Sequence, residues 1–73
     1  MHKGWLLAYS TTVDYQAHII KDMLENYGID AIIVNKKDSA YVIIGDIEIY
    51  VNQENLMEAK LLIQKFFKNE QFD

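Results

Sequence analysis

Three side chains able to bind a metal or move a proton recur along one predicted helix of this 73-residue chain. Asp14, His18 and Asp22 follow one another at intervals of four, so a helix aligns them along one ridge. Zinc needs about four convergent ligands, and a single ridge brings its members together only in pairs. We therefore interpret the ridge as a solvated helix face and predict no metal site.

The chain shows no pattern of an activated nucleophile. It has no cysteine, and no spacing places a serine beside a histidine or two carboxylates in one pocket. Its three glycines, Gly4, Gly28 and Gly45, are too scattered to form a phosphate-binding loop. We predict a protein that is not an enzyme and carries no cofactor.

The polar segment 35–41 could hold a small ligand. Lys36, Lys37 and Asp38 supply charges and Tyr41 supplies an aromatic ring with a hydroxyl. Its aspartate and serine are also common turn formers, whose side chains bond their own backbone. Two interpretations stay open, a binding loop of a small-molecule sensor and a plain connection.

Composition narrows the class of protein. All seven basic residues are lysines and the net charge is −4, which disfavours a nucleic-acid partner because phosphate contacts need basic side chains. No apolar run approaches the roughly 18 residues of a membrane-spanning helix, so we expect no membrane association. The absence of cysteine fits a cytoplasmic location.

Hydrophobic periodicity divides the chain into strands and helices. Strands are predicted at 3–9, 29–34 and 47–51, and helices at 13–27 and 53–68. A hydroxyl among residues 10–12 and Asn52 are expected to cap the two helices, and Gly28 to end the first one. Gly45-Asp46 suits a tight hairpin turn, whose first arm at 41–44 is either a fourth strand or a loop.

The order β-α-β-β-α predicts an α+β, ferredoxin-like sandwich that lacks the final strand. Both helices are expected on one face of a three-stranded antiparallel sheet, or a four-stranded one if 41–44 is a strand. The third strand should lie in the centre and the first at an edge. We predict a single domain, 1–73, with 68–73 as a mobile tail.

The other face of the sheet is expected to be uncovered. Alternation places Glu48 and Tyr50 on it, and Trp5 and Tyr9 are candidates to join them. Exposed rings on such a sheet can stack nucleic-acid bases or bind protein. Because the chain is acidic, we favour a protein partner or a second copy.

The last helix carries a second apolar patch. Met57 and Leu61 lie four residues apart and point away from the predicted core stripe of that helix. Beside an edge that carries Trp5 they would form an interface, although single exposed apolar residues are common.

Two segments of the chain resemble a known family. They read KGWLLAYSTTVDYQAHIIKDMLENYGIDAIIVNKKDS and IEIYVNQENLMEAKLLI. Three features carry the resemblance: a first strand with an aromatic residue, a helix that leads into the next strand through a sequence of the type ML.NYGI, and a strand-to-helix junction of the type IYV…E…A…L. Glu54 and Ala59 match the last of these patterns loosely. They resemble the small bacterial domain family labelled "putative prokaryotic signal-transducing protein".

The resemblance implies a half-ferredoxin-like fold, similar in shape to the nitrogen-regulatory signal proteins. The chain departs from those proteins because it lacks the final fourth strand, a long exposed loop and any arginine, so ATP or 2-oxoglutarate binding is not implied. The leading hypothesis is a non-enzymatic regulatory or interaction domain, homodimeric, with an unidentified protein partner. A small-molecule sensor and a single-stranded nucleic-acid binder are the alternatives.

Overall fold

The computed structural model describes residues 4–36 and 47–70. The elements are β1 (Trp5–Thr11), α1 (Asp14–Asn26), β2 (Ala31–Asn35), β3 (Ile47–Asn52), a 3-10 turn (Gln53–Asn55) and α2 (Leu56–Glu70). The predicted order β-α-β-β-α and the α+β class are confirmed. The predicted hairpin turn at 45–46 and its first arm at 41–44 lie outside the described residues.

The three strands form one antiparallel sheet in the order β1-β3-β2. Trp5 lies opposite Asn52 at one end of the β1–β3 pair, and Thr11 lies opposite Ile47 at the other. Since β1 and β2 both run antiparallel to β3, they run parallel to each other, and α1 is the crossover between them. The predicted central position of the third strand is confirmed, and β1 and β2 are the edges of the described sheet.

The core lies between one face of the sheet and both helices. On β3 the side chains of Ile47, Ile49 and Val51 are 0 % exposed, as alternation along the strand predicts. The helices and the other strands complete one apolar cluster with Ala8, Ala17, Ile20, Leu24, Ile29, Ala31, Ala59 and Ile63. Both helices therefore cover the same face, and no described element packs against the other.

A β-bulge interrupts β1. Leu7 lies opposite Tyr50 and Tyr9 lies opposite Ile49, so Ala8 is an extra residue without a partner on β3. The extra residue reverses the alternation, because residues opposite each other on paired strands point to the same face. Before the bulge the odd-numbered Leu7 points away from the helices, and after it the odd-numbered Tyr9 points toward them.

Helix α1 ends just before Gly28, as the sequence predicts. Gly28 has a φ of +82°, in the left-handed region that residues with a Cβ avoid. Its N–H donates to the Glu25 carbonyl at 3.0 Å, and the Ile29 N–H donates to the Leu24 carbonyl at 3.0 Å. This is a Schellman motif, and Leu24 and Ile29 are both buried, as the hydrophobic contact of that motif requires.

Neither helix start has the predicted side-chain hydrogen bond at its cap position. Thr11 Oγ1 accepts from the Val13 N–H at 3.1 Å, one residue before the helix, and donates to Gln16 Oε1 at 2.7 Å. Asn52 stands at the start of the 3-10 turn, but its side chain makes no capping hydrogen bond, so that prediction is wrong. The Gln53 N–H instead donates to the Gly4 carbonyl at 2.7 Å, a partner brought there by the pairing of β1 with β3.

Candidate interaction surface

The strand register defines which side chains share the face that the helices leave uncovered. On β3 the residues that alternate with the buried isoleucines are Glu48, Tyr50 and Asn52. Their partners on the edge strands complete a surface that we call the open face, formed by Trp5, Leu7, Ser10, Ile32, Val34, Glu48, Tyr50 and Asn52. All three strands contribute to it.

Most of the open face is apolar or aromatic. Leu7 is 43 % exposed, and Trp5, Ile32, Val34 and Tyr50 are half-buried. Tyr50 lies at the centre, between Leu7 on one side and Ile32 on the other. Aromatic rings flanked by aliphatic side chains are the usual centre of a protein interface, because they bury much area for few rotatable bonds.

The charged groups of the open face pair with one another. Lys36 Nζ lies 3.2 Å from Glu48 Oε1, and the Tyr50 hydroxyl donates to the same oxygen at 2.8 Å. This hydrogen bond, together with burial and the negative charge of Glu48, raises the pKa of Tyr50 above its ordinary value of 10.0. The cluster holds a half-buried carboxylate beside a cation, so this corner of the face carries little net charge.

Tyr9 does not lie on the open face, which corrects the prediction that groups it with Trp5 and Tyr50. Its ring packs against Phe67 of α2, with ring centroids 5.3 Å apart, and its hydroxyl donates a long, 3.5 Å hydrogen bond to Gln16 of α1. The bulge at Ala8 is the cause, because it turns Tyr9 toward the helices.

Met57 and Leu61 lie on the outer side of α2, 80 % and 55 % exposed. Ala59 and Ile63 face the sheet from the same helix, and the 100° spacing places Met57 and Leu61 roughly opposite them. The structure therefore does not bring this pair to Trp5. It forms a separate surface on the far side of the helix layer.

The segment 35–41 is only partly described. Lys36 pairs with Glu48 as given above, whereas Lys37, Asp38 and Tyr41 lie outside the described residues. A ligand loop there stays a prediction.

Two surface depressions lie elsewhere on the described residues. One, of about 260 Å³, is lined by Gly4, Asn52, Gln53 and Glu54, and the other, of about 190 Å³, by Met23, Tyr27, Leu62, Lys65 and Phe66. Both are smaller than the roughly 300 Å³ at which pockets for organic ligands begin.

The ridge on α1 is solvent-exposed. Asp14, His18 and Asp22 are all exposed, and the described part of the chain contains no group of three or more histidines or acids placed to hold a metal ion. None of the helices in the described residues has the length and apolar character needed to cross a membrane.

Sequence reasoning missed Ile32 and Val34 as members of the open face. β2 reads AIIVN, and such a run of apolar residues does not show which of its members face the helices. The signal is the register with β3, because Ile32 lies opposite Tyr50 and Val34 lies opposite Glu48. Register is a property of the paired strands and not of either one alone.

The fold and the open face define a small α+β domain whose two helices cover one side of a sheet and leave an apolar surface on the other. The chain belongs to the family described as "Putative prokaryotic signal transducing protein", whose model matches residues 5–66. That range includes every described residue of the open face. No curated protein and no solved structure matches the chain.

Proposed function

We propose that the chain is a non-enzymatic interaction module of a signalling system, which binds a protein partner through the open face. The observation that carries the proposal is the continuity of apolar and aromatic side chains across all three strands, opposite the face on which the helices pack. Such a surface on a small domain is typical of a binding site. The family description, which names signal transduction and no reaction, supports the same function.

The chemistry of the open face favours a polypeptide over a nucleic acid. Lys36 is the basic residue that the structure places at this face, and its ammonium already pairs with Glu48 at 3.2 Å. Phosphate binding there would break that pair and bring a second negative charge toward the carboxylate. An apolar protein surface meets no such cost, because it can cover Tyr50 and its aliphatic neighbours and leave the ion pair at the rim.

The test compares two side chains on opposite sides of the molecule. Tyr50→Ser removes the centre of the open face, and Met57→Ser makes a matched change on the outer side of α2. Tagged wild-type and variant proteins are used to capture partners from extract of the source cell. The affinity of each variant for any recovered protein is then measured by calorimetry.

We expect a partner that binds wild type and the Met57 variant equally and binds the Tyr50 variant at least about tenfold more weakly. Equal binding by all three proteins would overturn the open face as the site. Salt-dependent binding of single-stranded oligonucleotides that quenches Trp5 fluorescence would instead support the nucleic-acid alternative. Native mass spectrometry of the protein purified from its own cell is a further test, and a small molecule bound in stoichiometric amount would support the sensor alternative.

A further inference from the structure

We propose that β1 pairs antiparallel with β1 of a second copy of this chain, so that two three-stranded sheets become one continuous sheet. This inference concerns the edge of the sheet and goes beyond the proposed function, which concerns its open face. Either can hold without the other.

Two consecutive leucines on β1 carry the argument. Leu6 is 40 % exposed and Leu7 is 43 % exposed. Leu6 lies opposite buried Val51 and so points to the helix side, whereas Leu7 lies opposite Tyr50 and points to the open side. A protein docked on the open face covers Leu7 and leaves Leu6 in water, and one docked on the helices does the reverse. A strand added beside β1 covers both.

The outer edge of β1 carries none of the features that usually prevent strand addition, apart from the bulge. The strand reads WLLAYST, without a charged residue or proline, and among the described residues no strand lies on its outer side. The other edge, β2, is a five-residue strand followed directly by Lys36. Because the bulge at Ala8 interrupts regular pairing, the added strand should contact the first half of β1.

A second copy fits this edge because the edge is complementary to itself. A two-fold axis beside Leu6, perpendicular to the sheet, places Leu6 opposite Leu6 of the partner subunit, both on the helix side. The same register places Trp5 opposite Leu7 of the partner subunit, both on the open side. The chain carries a net charge of −4, but β1 carries no charge, so two copies meet here without direct repulsion.

The paired arrangement also extends the open face. Trp5 and Leu7 of one subunit become neighbours of Leu7 and Trp5 of the other, so the two open faces join into one apolar surface across the axis. A partner protein would then meet roughly twice the area that one copy offers, which brings a small domain closer to the about 800 Å² per partner of a stable interface.

Sedimentation velocity over a range of concentrations tests the proposal with three variants. Leu6→Lys and Leu7→Lys each place a charge at the proposed axis, one on either side of the sheet, and Leu61→Lys makes the same change on the outer side of α2. Circular dichroism and thermal melting establish that each variant is folded.

We expect a concentration-dependent dimer for wild type and for Leu61→Lys. For both edge variants we expect an association constant at least about a hundredfold lower. Leu6→Lys places two like charges opposite each other at the axis, and Leu7→Lys places an ammonium group against Trp5 of the partner subunit, where it loses water without gaining an acidic partner. A wild-type protein that stays monomeric up to about 1 mM would overturn the proposal. A dimer that resists Leu6→Lys but not Leu7→Lys would also overturn it, because that response indicates pairing through the open faces.

A mixed-label NMR sample gives an independent readout of the same contact. One half of the molecules carries isotope label, and intermolecular nuclear Overhauser effects are recorded. The proposal predicts contacts between the Leu6 methyl groups of the two subunits and between the Trp5 ring and Leu7 of the partner subunit. Contacts confined to Met57 and Leu61 would contradict it. If monomeric Leu6→Lys still binds a partner captured by wild type, partner binding through the open face does not depend on the dimer, and the proposed function stands.

Discussion

The two faces of β3 show how one strand serves two purposes. Toward the helices, Ile47, Ile49 and Val51 are completely buried, whereas on the other side Glu48, Tyr50 and Asn52 stay partly exposed. Both faces carry apolar side chains, because β1 and β2 add Trp5, Leu7, Ile32 and Val34 to the second one.

The two faces differ in whether folding removes their apolar side chains from water. Apolar groups under the helices stabilise the fold, since the chain itself removes them from water. Apolar groups on the open face are covered by no described element, so the part of their surface that stays exposed is left for a partner. Mutations on the two faces should therefore separate stability from binding.

The largest effect is expected for Ile49→Ala. Ile49 is 0 % exposed at the centre of the core, so the truncation leaves a cavity and should lower the free energy of unfolding by about 2–5 kcal/mol. For a small domain this is a large part of the total stability. Urea denaturation followed by circular dichroism measures it. A loss below about 1 kcal/mol would contradict the division between the faces.

Tyr9 and Trp5 test the effect of the bulge. Tyr9 packs against Phe67 under the helices, so Tyr9→Ala should cost about 1.5–3 kcal/mol of unfolding free energy. Trp5 lies on the open face, and Trp5→Ala should cost less although its side chain is larger. The same denaturation assay ranks the two variants. The reverse order would contradict the assignment of Tyr9 to the helix side and of Trp5 to the open face.

Neighbouring isoleucines on β2 provide a matched pair. Ile33 packs against the core cluster and lies opposite Ile49, whereas Ile32 lies opposite Tyr50 on the open face. We expect Ile33→Ala to cost about 1–2 kcal/mol and Ile32→Ala roughly half as much. Only Ile32→Ala should weaken binding of a partner to the open face. Equal losses of stability together with unchanged binding would show that β2 is not part of the binding site.

The smallest effect concerns the titration of Tyr50. Its raised pKa depends first on the hydrogen bond to Glu48, so Glu48→Gln should lower that pKa toward 10.0. Absorbance of the phenolate measures the shift, and Tyr50→Phe identifies which step belongs to this residue.

The raised pKa also gives a pH dependence of stability with a definite sign. The folded protein holds the Tyr50 proton more tightly than the unfolded chain does. The resulting contribution to the free energy of unfolding is complete below the pKa of Tyr50 in the unfolded chain, and it is lost as the pH rises through the higher pKa in the folded protein. Wild type should therefore lose more stability above about pH 10 than Glu48→Gln does. An alkaline stability profile unchanged by Glu48→Gln would indicate that the Tyr50–Glu48 contact is absent in solution.

Local patterns were sufficient to predict several features of the molecule. The stop at Gly28 depends on one residue's freedom to adopt positive φ, and the burial of Ile47, Ile49 and Val51 follows from alternation along a single strand. The order of helices and strands and the central place of β3 follow from period, length and the handedness of crossover connections.

Features that depend on two segments could not be read from either segment alone. The bulge at Ala8 exists only where β1 pairs with β3, and it turns Tyr9 away from the open face. The Gln53 N–H finds its acceptor on Gly4, far away in sequence, a contact that only the pairing of β1 with β3 creates. Membership of Ile32 and Val34 in the open face likewise depends on the register of β2 against β3.

By itself, then, the sequence determined which segments are helices and strands, which face of β3 is buried and where α1 ends, because each of these depends on neighbours within a few residues along the chain. Tertiary structure alone decided which side chains share the open face and that Leu6 and Leu7 are both exposed at the edge. The physical reason is that a one-residue change in strand pairing moves every following side chain to the opposite face of the sheet.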